Sequence, residues 1–207
     1  WDGYEEIPAW IMQGYGTMAM EAGEQLKAQG CERPTHIFVQ AGVGSLAGAV
    51  VGYFANLYAD NPPTFVVVEA EAAACLYKGA AAGDGDIRIV DGDMQTIMAG
   101  LACGEPNTIS WDILKNHVKV FIAAPDWVAA NGMRMLAAPI KGDASITSGE
   151  SGAAPFGALA AMTTLDKYEQ LKKDIGLDEN SRVLLFSTEG DTDPDRYKNI
   201  VWKGLDK

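Results

Sequence analysis

Two glycines at the end of an apolar segment are the residues of this chain best suited to bind an anion. The segment THIFVQAGVGSLAG, residues 35–48, is typical of a buried strand, a tight turn and a helix of small residues. Gly42 and Gly44 lack the Cβ that would keep the main chain away from a ligand. Backbone N–H groups of such a turn, with the positive end of the following helix, can bind a phosphate without Lys or Arg.

The same turn has other interpretations. Residues 42–47 match the dinucleotide fingerprint G-x-G-x-x-A, and Glu69 ends the next apolar segment, FVVVE, where a ribose-binding acid would stand. A tight turn whose glycines serve only close packing is the third interpretation. The turn alone does not distinguish among the three.

Short apolar segments alternate with helical patterns along the chain. Strands are predicted at residues 35–40, 64–69, 119–123 and 182–187, because each is rich in Val, Ile or Phe. Helices are predicted at residues 5–29, 45–58, 71–80, 111–116, 125–137, 154–164, 166–175 and 194–202. This alternation predicts an α/β fold, in which a mostly parallel sheet lies between two helical layers as α/β/α.

Two segments carry more specific expectations. In the first helix, apolar residues at steps of three and four predict one buried face made of Ile7, Ile11, Gly14, Met18, Ala22 and Leu26. The stretch from residue 80 to 107 has no clear periodicity, and we expect a long loop that borders a site.

Composition excludes several classes of function. The chain has 207 residues, is 48% hydrophobic and carries a net charge of −12, which suits one acidic α/β core and not a nucleic-acid partner. No apolar run is long enough to span a membrane, and we expect a cytoplasmic protein. The three cysteines form no C-x-x-C pair, so no metal site is predicted. His36 and His117 lack catalytic partners at useful spacing and are interpreted as packed or capping residues.

Two later turns are expected to meet the glycine turn. Residues 148–154, SGESGAA, open a helix of small residues, and residues 186–193, FSTEGDTD, leave the last predicted strand. Ligands of open α/β sheets collect at the carboxyl ends of the strands, so these turns should face one crevice. Convergence of separate turns on one crevice is what a cofactor needs.

These turns carry a family resemblance. QAGVGSLAG resembles the phosphate loop, SGESGAA the ESGA element and STEGD the pyridine-nitrogen segment of fold-type-II pyridoxal-phosphate enzymes, the tryptophan-synthase β and threonine-dehydratase group. WDGYEEIPAWIMQGYGTM, TIMAGLACGEPN and STEGDTDPDRY together resemble the diaminopropionate ammonia-lyase family. The similarity extends over essentially the whole chain.

The resemblance implies a function and a set of site residues. The family carries out α,β-elimination of 2,3-diaminopropionate, a small amino acid, to pyruvate and ammonia with pyridoxal 5′-phosphate as cofactor. Asp2 matches the site acid of the D-G-Y-E-E-I-P segment, near the substrate amines, where it would bind the leaving ammonium or relay a proton. The pyridine nitrogen would meet Ser187, with Thr188 as second choice. The 5′-phosphate would be bound by Ala41, Gly42, Val43, Gly44 and Ser45.

The resemblance also implies that residues 1–207 are the C-terminal portion of a large cofactor-binding domain. The Schiff-base lysine and the small domain of the family belong to a segment upstream of this sequence, so the chain alone is expected to be inactive. A homodimer is expected for the complete protein. The alternatives are a related pyridoxal-phosphate dehydratase or sulfhydrylase, a dinucleotide-binding Rossmann-type domain, and a non-catalytic interaction domain.

Cys75 and Cys103 carry one further hypothesis. Cys75 begins the helix after FVVVE and Cys103 ends the MAGLAC segment, both near the carboxyl side of the sheet. We expect the two thiols to approach each other and to form a disulfide on oxidation if their geometry allows it.

Overall fold

A four-stranded parallel sheet forms the centre of the fold. The structure, a computed structural model, describes Gly3 and residues 5–206. The strands are β1 (His36–Gln40), β2 (Thr64–Ala70), β3 (Val118–Ala124) and β4 (Val183–Leu185), in the spatial order β3-β2-β1-β4. In the register, His36 pairs with Thr64 on one side and with Val183 on the other. All carboxyl ends therefore lie along one edge of the sheet.

Eight α-helices cover the two faces of this sheet in the described part of the chain. One face carries α1 (Glu6–Ala28), α2 (Ser45–Leu57), α3 (Cys75–Ala82) and α4 (Thr108–His117). The other carries α5 (Asp126–Ala137), α6 (Glu150–Thr164), α7 (Glu169–Ile175) and α8 (Pro194–Val201). Short 3₁₀ turns stand at Glu71–Ala73, Ala99–Leu101 and Asp166–Tyr168. The predicted three-layer α/β/α fold with a parallel sheet is confirmed.

The core follows from the alternation of side chains along the strands. Ile37 and Val39 point to the layer of α1–α4, whereas Phe38 points to the layer of α5–α8, and all three are fully buried. Because both faces are covered, the strands are apolar throughout. Burial of each such side chain contributes roughly 1.5–3 kcal/mol.

The predicted buried face of α1 is wrong in its first half. Ile7 and Ile11 are exposed, and the buried residues of the helix are Met12, Ala19 and Gly23. Gly23 lies where α1 crosses α2, and a Cβ there would be 3.7 Å from Tyr53. That distance is an ordinary contact, and the buried face of α1 therefore passes through Met12, Ala19 and Gly23, with Ile7 and Ile11 outside it.

Among the predicted elements whose ends differ in the structure, two border the site. Helix α6 begins at Glu150, four residues before its predicted start, and keeps Pro155 inside. Strand β4 ends at Leu185, two residues before its predicted end. Both differences lie at the carboxyl edge of the sheet, and the early start of α6 is explained by a side-chain contact of the site there.

Candidate functional site

The glycine turn, residues 41–44, joins β1 to α2 at the carboxyl edge of the sheet. Ala41 still belongs to the sheet, because its N–H donates to Val68 O at 2.9 Å. Gly44 has φ +99°, which side-chain-bearing residues rarely adopt. A Cβ at Gly44 would also stand 3.3 Å from Leu114 Cδ1 and from Ser110 Cβ. The turn is therefore tight, and only glycine fits at residue 44 without strain.

The turn presents unused backbone donors. The N–H groups of Gly42, Val43, Gly44 and Ser45 donate to no other described residue, and no side chain caps the N-terminus of α2. The first turn of any helix leaves such donors unpaired, and its dipole adds partial positive charge there. This arrangement is suited to an anion such as phosphate.

Asn107 braces the turn from outside. Its N–H donates to Val43 O at 2.8 Å, and its Nδ2 donates to Ser45 Oγ at 2.8 Å. Its Oδ1 accepts from the N–H groups of Ile109 and Ser110 and so caps α4. Sequence reasoning missed Asn107, although an Asn before Thr-Ile-Ser-Trp is a helix N-cap signal that could have identified it.

A cleft of about 340 Å³ lies above the glycine turn. Three turns at the carboxyl edge form its walls, as expected for the crevice, and Tyr15 of α1 and Gln40 of β1 complete its lining. The turn and the start of α2 form one wall, and residues 100–103 of the predicted long loop form the second. The third is formed by Ser151 of α6 with Thr188 and Glu189 after β4. Ser151 Oγ accepts from the N–H of Gly100 at 3.2 Å, which joins the second wall to the third.

Ser187 and Thr188 differ in where they lie. Thr188 belongs to the cleft wall, and its Oγ1 accepts a hydrogen bond of 3.0 Å from Gln40 Nε2. Ser187 Oγ instead donates to Ser148 Oγ at 2.8 Å, and its side chain is not part of that wall. Gln40 Nε2 also donates to Phe186 O at 3.0 Å, one residue after the end of β4.

Glu189 caps the start of α6. Its Oε2 accepts from the N–H groups of Ser151 at 2.7 Å and Gly152 at 3.2 Å. A carboxylate at a helix N-terminus satisfies unpaired donors and complements the dipole. This contact explains why α6 begins before its predicted start. The donors of this helix are therefore already used, unlike those of α2.

Glu69 does not act as a ligand-binding acid in this structure. Its two carboxylate oxygens accept from the N–H groups of Leu76 at 2.8 Å and Tyr77 at 2.7 Å, and its side chain is fully buried. Burial raises the pKa of Glu69 to about 7, although these hydrogen bonds oppose the shift. The acid required by the dinucleotide fingerprint therefore caps α3, which argues against the Rossmann-type alternative.

The two cysteines of the disulfide hypothesis are neighbours and remain free thiols. Cys75 Sγ lies 3.6 Å from Cys103 O, and Cys103 is part of the cleft wall. Burial, followed by the nearby Glu69 carboxylate, raises the pKa of the Cys75 thiol to about 12. Because the thiolate is the reactive form, this environment slows oxidation of Cys75. Disulfide formation stays a prediction.

Other features of the described residues offer less chemistry. A larger hollow of about 620 Å³ lies beside α6, α7 and β4, but its Lys172 and Glu169 pair with each other at 2.8 Å. Residues 3 and 5–206 contain no group of three or more metal-ligating side chains and no helix long and apolar enough to cross a membrane. His36 is buried, and its Nε2 is 2.9 Å from Ile175 O. Asp2, predicted as the site acid, lies outside the described residues.

Comparison with known proteins agrees with this geometry. Residues 3–188 match the family described as "Pyridoxal-phosphate dependent enzyme". The diaminopropionate ammonia-lyase of Salmonella typhimurium is 53% identical over 205 residues, and that of Escherichia coli strain K12 is 48% identical over 204. These alignments cover 99% of this chain, but only 51% and 50% of the two relatives. The chain thus spans about half the length of the curated relatives it matches.

Solved structures give the same result. A crystal structure of diaminopropionate ammonia-lyase from Escherichia coli superposes with a TM-score of 0.91 at 46% identity, covering 100% of this chain and 51% of that one. Maize serine racemase, at 20% identity and a TM-score of 0.70, shares the fold. The chain is a homologue of the diaminopropionate ammonia-lyases and belongs to the family of pyridoxal-phosphate-dependent enzymes.

Proposed function

We propose that this chain is the C-terminal portion of the cofactor-binding large domain of a diaminopropionate ammonia-lyase. The complete protein would convert 2,3-diaminopropionate and one water into pyruvate and two ammonia molecules. The observation that carries the proposal is the row of unused N–H groups from Gly42 to Ser45, at the start of α2 and facing the cleft. The activity of relatives that align with 99% of the chain supports the choice of reaction.

The phosphate of the cofactor fits the glycine turn. Gly42, Val43, Gly44 and Ser45 would donate their N–H groups, and the α2 dipole would add favourable electrostatics. No Lys or Arg lines the cleft among the described residues, so backbone donors would carry the binding. We leave Ala41 out of the donor set because its N–H is already bonded to Val68 O.

Thr188 is the proposed partner of the ring nitrogen, in preference to Ser187. Thr188 lines the cleft, whereas Ser187 is turned to Ser148. Pyridoxal phosphate, when bound, supplies the electron sink for negative charge at the substrate α-carbon. A threonine hydroxyl, unlike a carboxylate, does not hold a proton on that nitrogen. Thr188 would therefore limit delocalisation into the ring and favour prompt loss of the β-amino group over transamination.

The groups that transfer protons lie outside the described residues. We propose Asp2 as the acid that binds the leaving ammonium or relays a proton. The lysine that carries the cofactor, and the small domain, would lie in the half of the relatives that this chain does not span. The proposal includes a cytoplasmic location and a homodimer. The solution mass of the complete protein tests the homodimer.

The test is a product assay on the complete protein. With 2,3-diaminopropionate, we expect one pyruvate and two ammonia per substrate consumed, and dependence on added pyridoxal phosphate after its removal. Serine, threonine, and O-acetylserine with sulfide serve as competing substrates. Faster turnover of a hydroxy amino acid would indicate a dehydratase, and faster turnover of O-acetylserine a sulfhydrylase. Either result would overturn the assignment.

A further inference from the structure

Gln40 is a buried carboxamide at the carboxyl end of β1, where it lines the cleft together with Thr188. Its side chain is 2% exposed, and its Nε2 lies 3.0 Å from Phe186 O and 3.0 Å from Thr188 Oγ1. Its position is central in the sheet, between β2 and β4. Apolar side chains fill most such positions in this fold, so a polar one requires an explanation.

The orientation of this carboxamide is fixed by its neighbours. Phe186 O is a backbone carbonyl and can only accept, so the amide atom beside it must be the nitrogen. The two Nε2 hydrogens are then both used, one by Phe186 O and one by Thr188 Oγ1. Because Thr188 Oγ1 accepts, its own hydrogen must point to a different acceptor.

The other amide atom of Gln40 shows that packing alone does not explain the residue. Its Oε1 is buried and has no hydrogen-bond partner among the described residues. An unsatisfied buried acceptor costs about 1–3 kcal/mol, which a methionine of similar length would avoid. The two hydrogen bonds of Nε2 are therefore the contribution that distinguishes glutamine from an apolar residue here.

The same arrangement occurs on the opposite side of the cleft. Asn107 Nδ2 donates to Ser45 Oγ, and the Asn107 amide is oriented by the N–H groups of Ile109 and Ser110 on its oxygen. Ser45 Oγ therefore also accepts, and its hydrogen is free for another acceptor. In both cases a carboxamide nitrogen donates to a cleft hydroxyl oxygen, which leaves the hydroxyl hydrogen for another acceptor.

We propose that Gln40 is a positioning residue that holds the Thr188 hydroxyl as a hydrogen-bond donor toward an acceptor in the cleft. This inference rests on the proposed function, in which the acceptor is the unprotonated ring nitrogen of the cofactor. Gln40 Nε2 already donates to Thr188 Oγ1, and no described residue accepts the Thr188 hydrogen, so that hydrogen is available to be donated to the ring nitrogen. The ring is thereby held in its neutral form.

The test is ¹⁵N NMR of the complete protein loaded with pyridoxal phosphate labelled at the ring nitrogen. Wild type is expected to give the resonance of an unprotonated pyridine across the neutral pH range. In Gln40→Glu the side chain cannot donate twice, so Thr188 turns its hydrogen to residue 40 and the resonance moves toward the pyridinium position. Gln40→Met lacks the hydrogen bond to Thr188 Oγ1, and we expect a smaller shift of the resonance in the same direction.

Thr188→Val separates failure of this inference from failure of the proposed function. If Thr188→Val changes the resonance while both Gln40 variants match wild type, Gln40 has only a structural role and the inference is overturned. If Thr188→Val also leaves the resonance unchanged, the proposed ring contact itself fails. Cofactor affinity should fall by about tenfold at most in Gln40→Met, since one hydrogen bond is affected. If Gln40→Glu does not fold, the resonance of Gln40→Met decides. Residue 40 lies outside the glycine turn, so complete loss of cofactor from both Gln40 variants would also overturn the inference.

Discussion

Gly157 of α6 lies directly against the main chain of Val128 in α5. A Cβ at Gly157 would stand 2.0 Å from Val128 O, far inside contact distance, and Gly132 is in a similar position against Ala153 O at 2.5 Å. Two glycines therefore allow the main chains of α5 and α6 to touch. This contact holds α6 against the sheet, and the start of α6 contributes Ser151 to the cleft wall.

Gly157→Ala should therefore destabilise the complete protein. The methyl group must push α5 from α6, and we expect the free energy of unfolding to fall by roughly 3 kcal/mol. Gly52→Ala in α2 is the matched control, because its Cβ would meet Ile113 at an ordinary 3.6 Å. We expect that control to be neutral or to stabilise by about 0.5–1 kcal/mol. Denaturant unfolding gives both values, and equal effects of the two variants would contradict the close contact.

Glu69 should make stability depend on pH. Its pKa in the fold, about 7, lies above its ordinary value of 4.5, so the folded state binds the proton more tightly. Its contribution therefore becomes less favourable as pH rises from about 4.5, and the loss reaches roughly 3 kcal/mol above about pH 7. Glu69→Gln should remove this part of the pH profile of unfolding.

Glu71→Gln is the control for that profile, since it removes an exposed carboxylate two residues away. It should keep the wild-type dependence between about pH 5 and pH 8. The assignment would be contradicted if Glu69→Gln showed the same dependence as wild type over this range.

Asp2→Asn should slow the reaction without affecting the cofactor. Loss of a general acid or base lowers kcat by roughly 10²–10⁴-fold, while the glycine turn that we propose binds the phosphate is unchanged. The measurements are steady-state kinetics with 2,3-diaminopropionate and the absorbance of bound cofactor. Glu5→Gln removes an exposed charge from the same segment and should retain wild-type rates. Full activity of Asp2→Asn would remove Asp2 from the mechanism.

Local sequence signals predicted most of the fold because they coincide with local physics. The strands at His36–Gln40 and Thr64–Ala70 were predicted to within one residue, since β-branched and apolar residues suit a strand buried on both faces. The glycine turn was predicted for a similar reason. Its shape depends on glycines within a few residues of one another, and the conformation of Gly44 is of the kind that only glycine adopts readily.

The remainder of the site depends on contacts between residues far apart in sequence. Glu189 caps α6 through residues 37 and 38 positions away in sequence. Gln40 donates to Phe186 O, just after β4, across 146 residues. Asn107 reaches Ser45 across 62 residues. No local pattern predicts such pairs. The face of α1 was misassigned because periodicity identifies an apolar face, but not whether another element covers it.

A negative charge introduced at residue 45 gives the most direct test of phosphate binding at the glycine turn. Ser45→Asp and Ser45→Asn have nearly the same size and differ in charge, and an acid in the first helical turn stabilises the helix itself. The measurement is the Kd of the complete protein for pyridoxal phosphate. We expect Ser45→Asp to bind at least about 100-fold more weakly than Ser45→Asn, because two anions about 4 Å apart repel by roughly 4 kcal/mol in a partly buried site. The thermal stability of the cofactor-free variants should be equal or higher for Ser45→Asp. Equal cofactor affinity of the two variants would contradict phosphate binding at this turn.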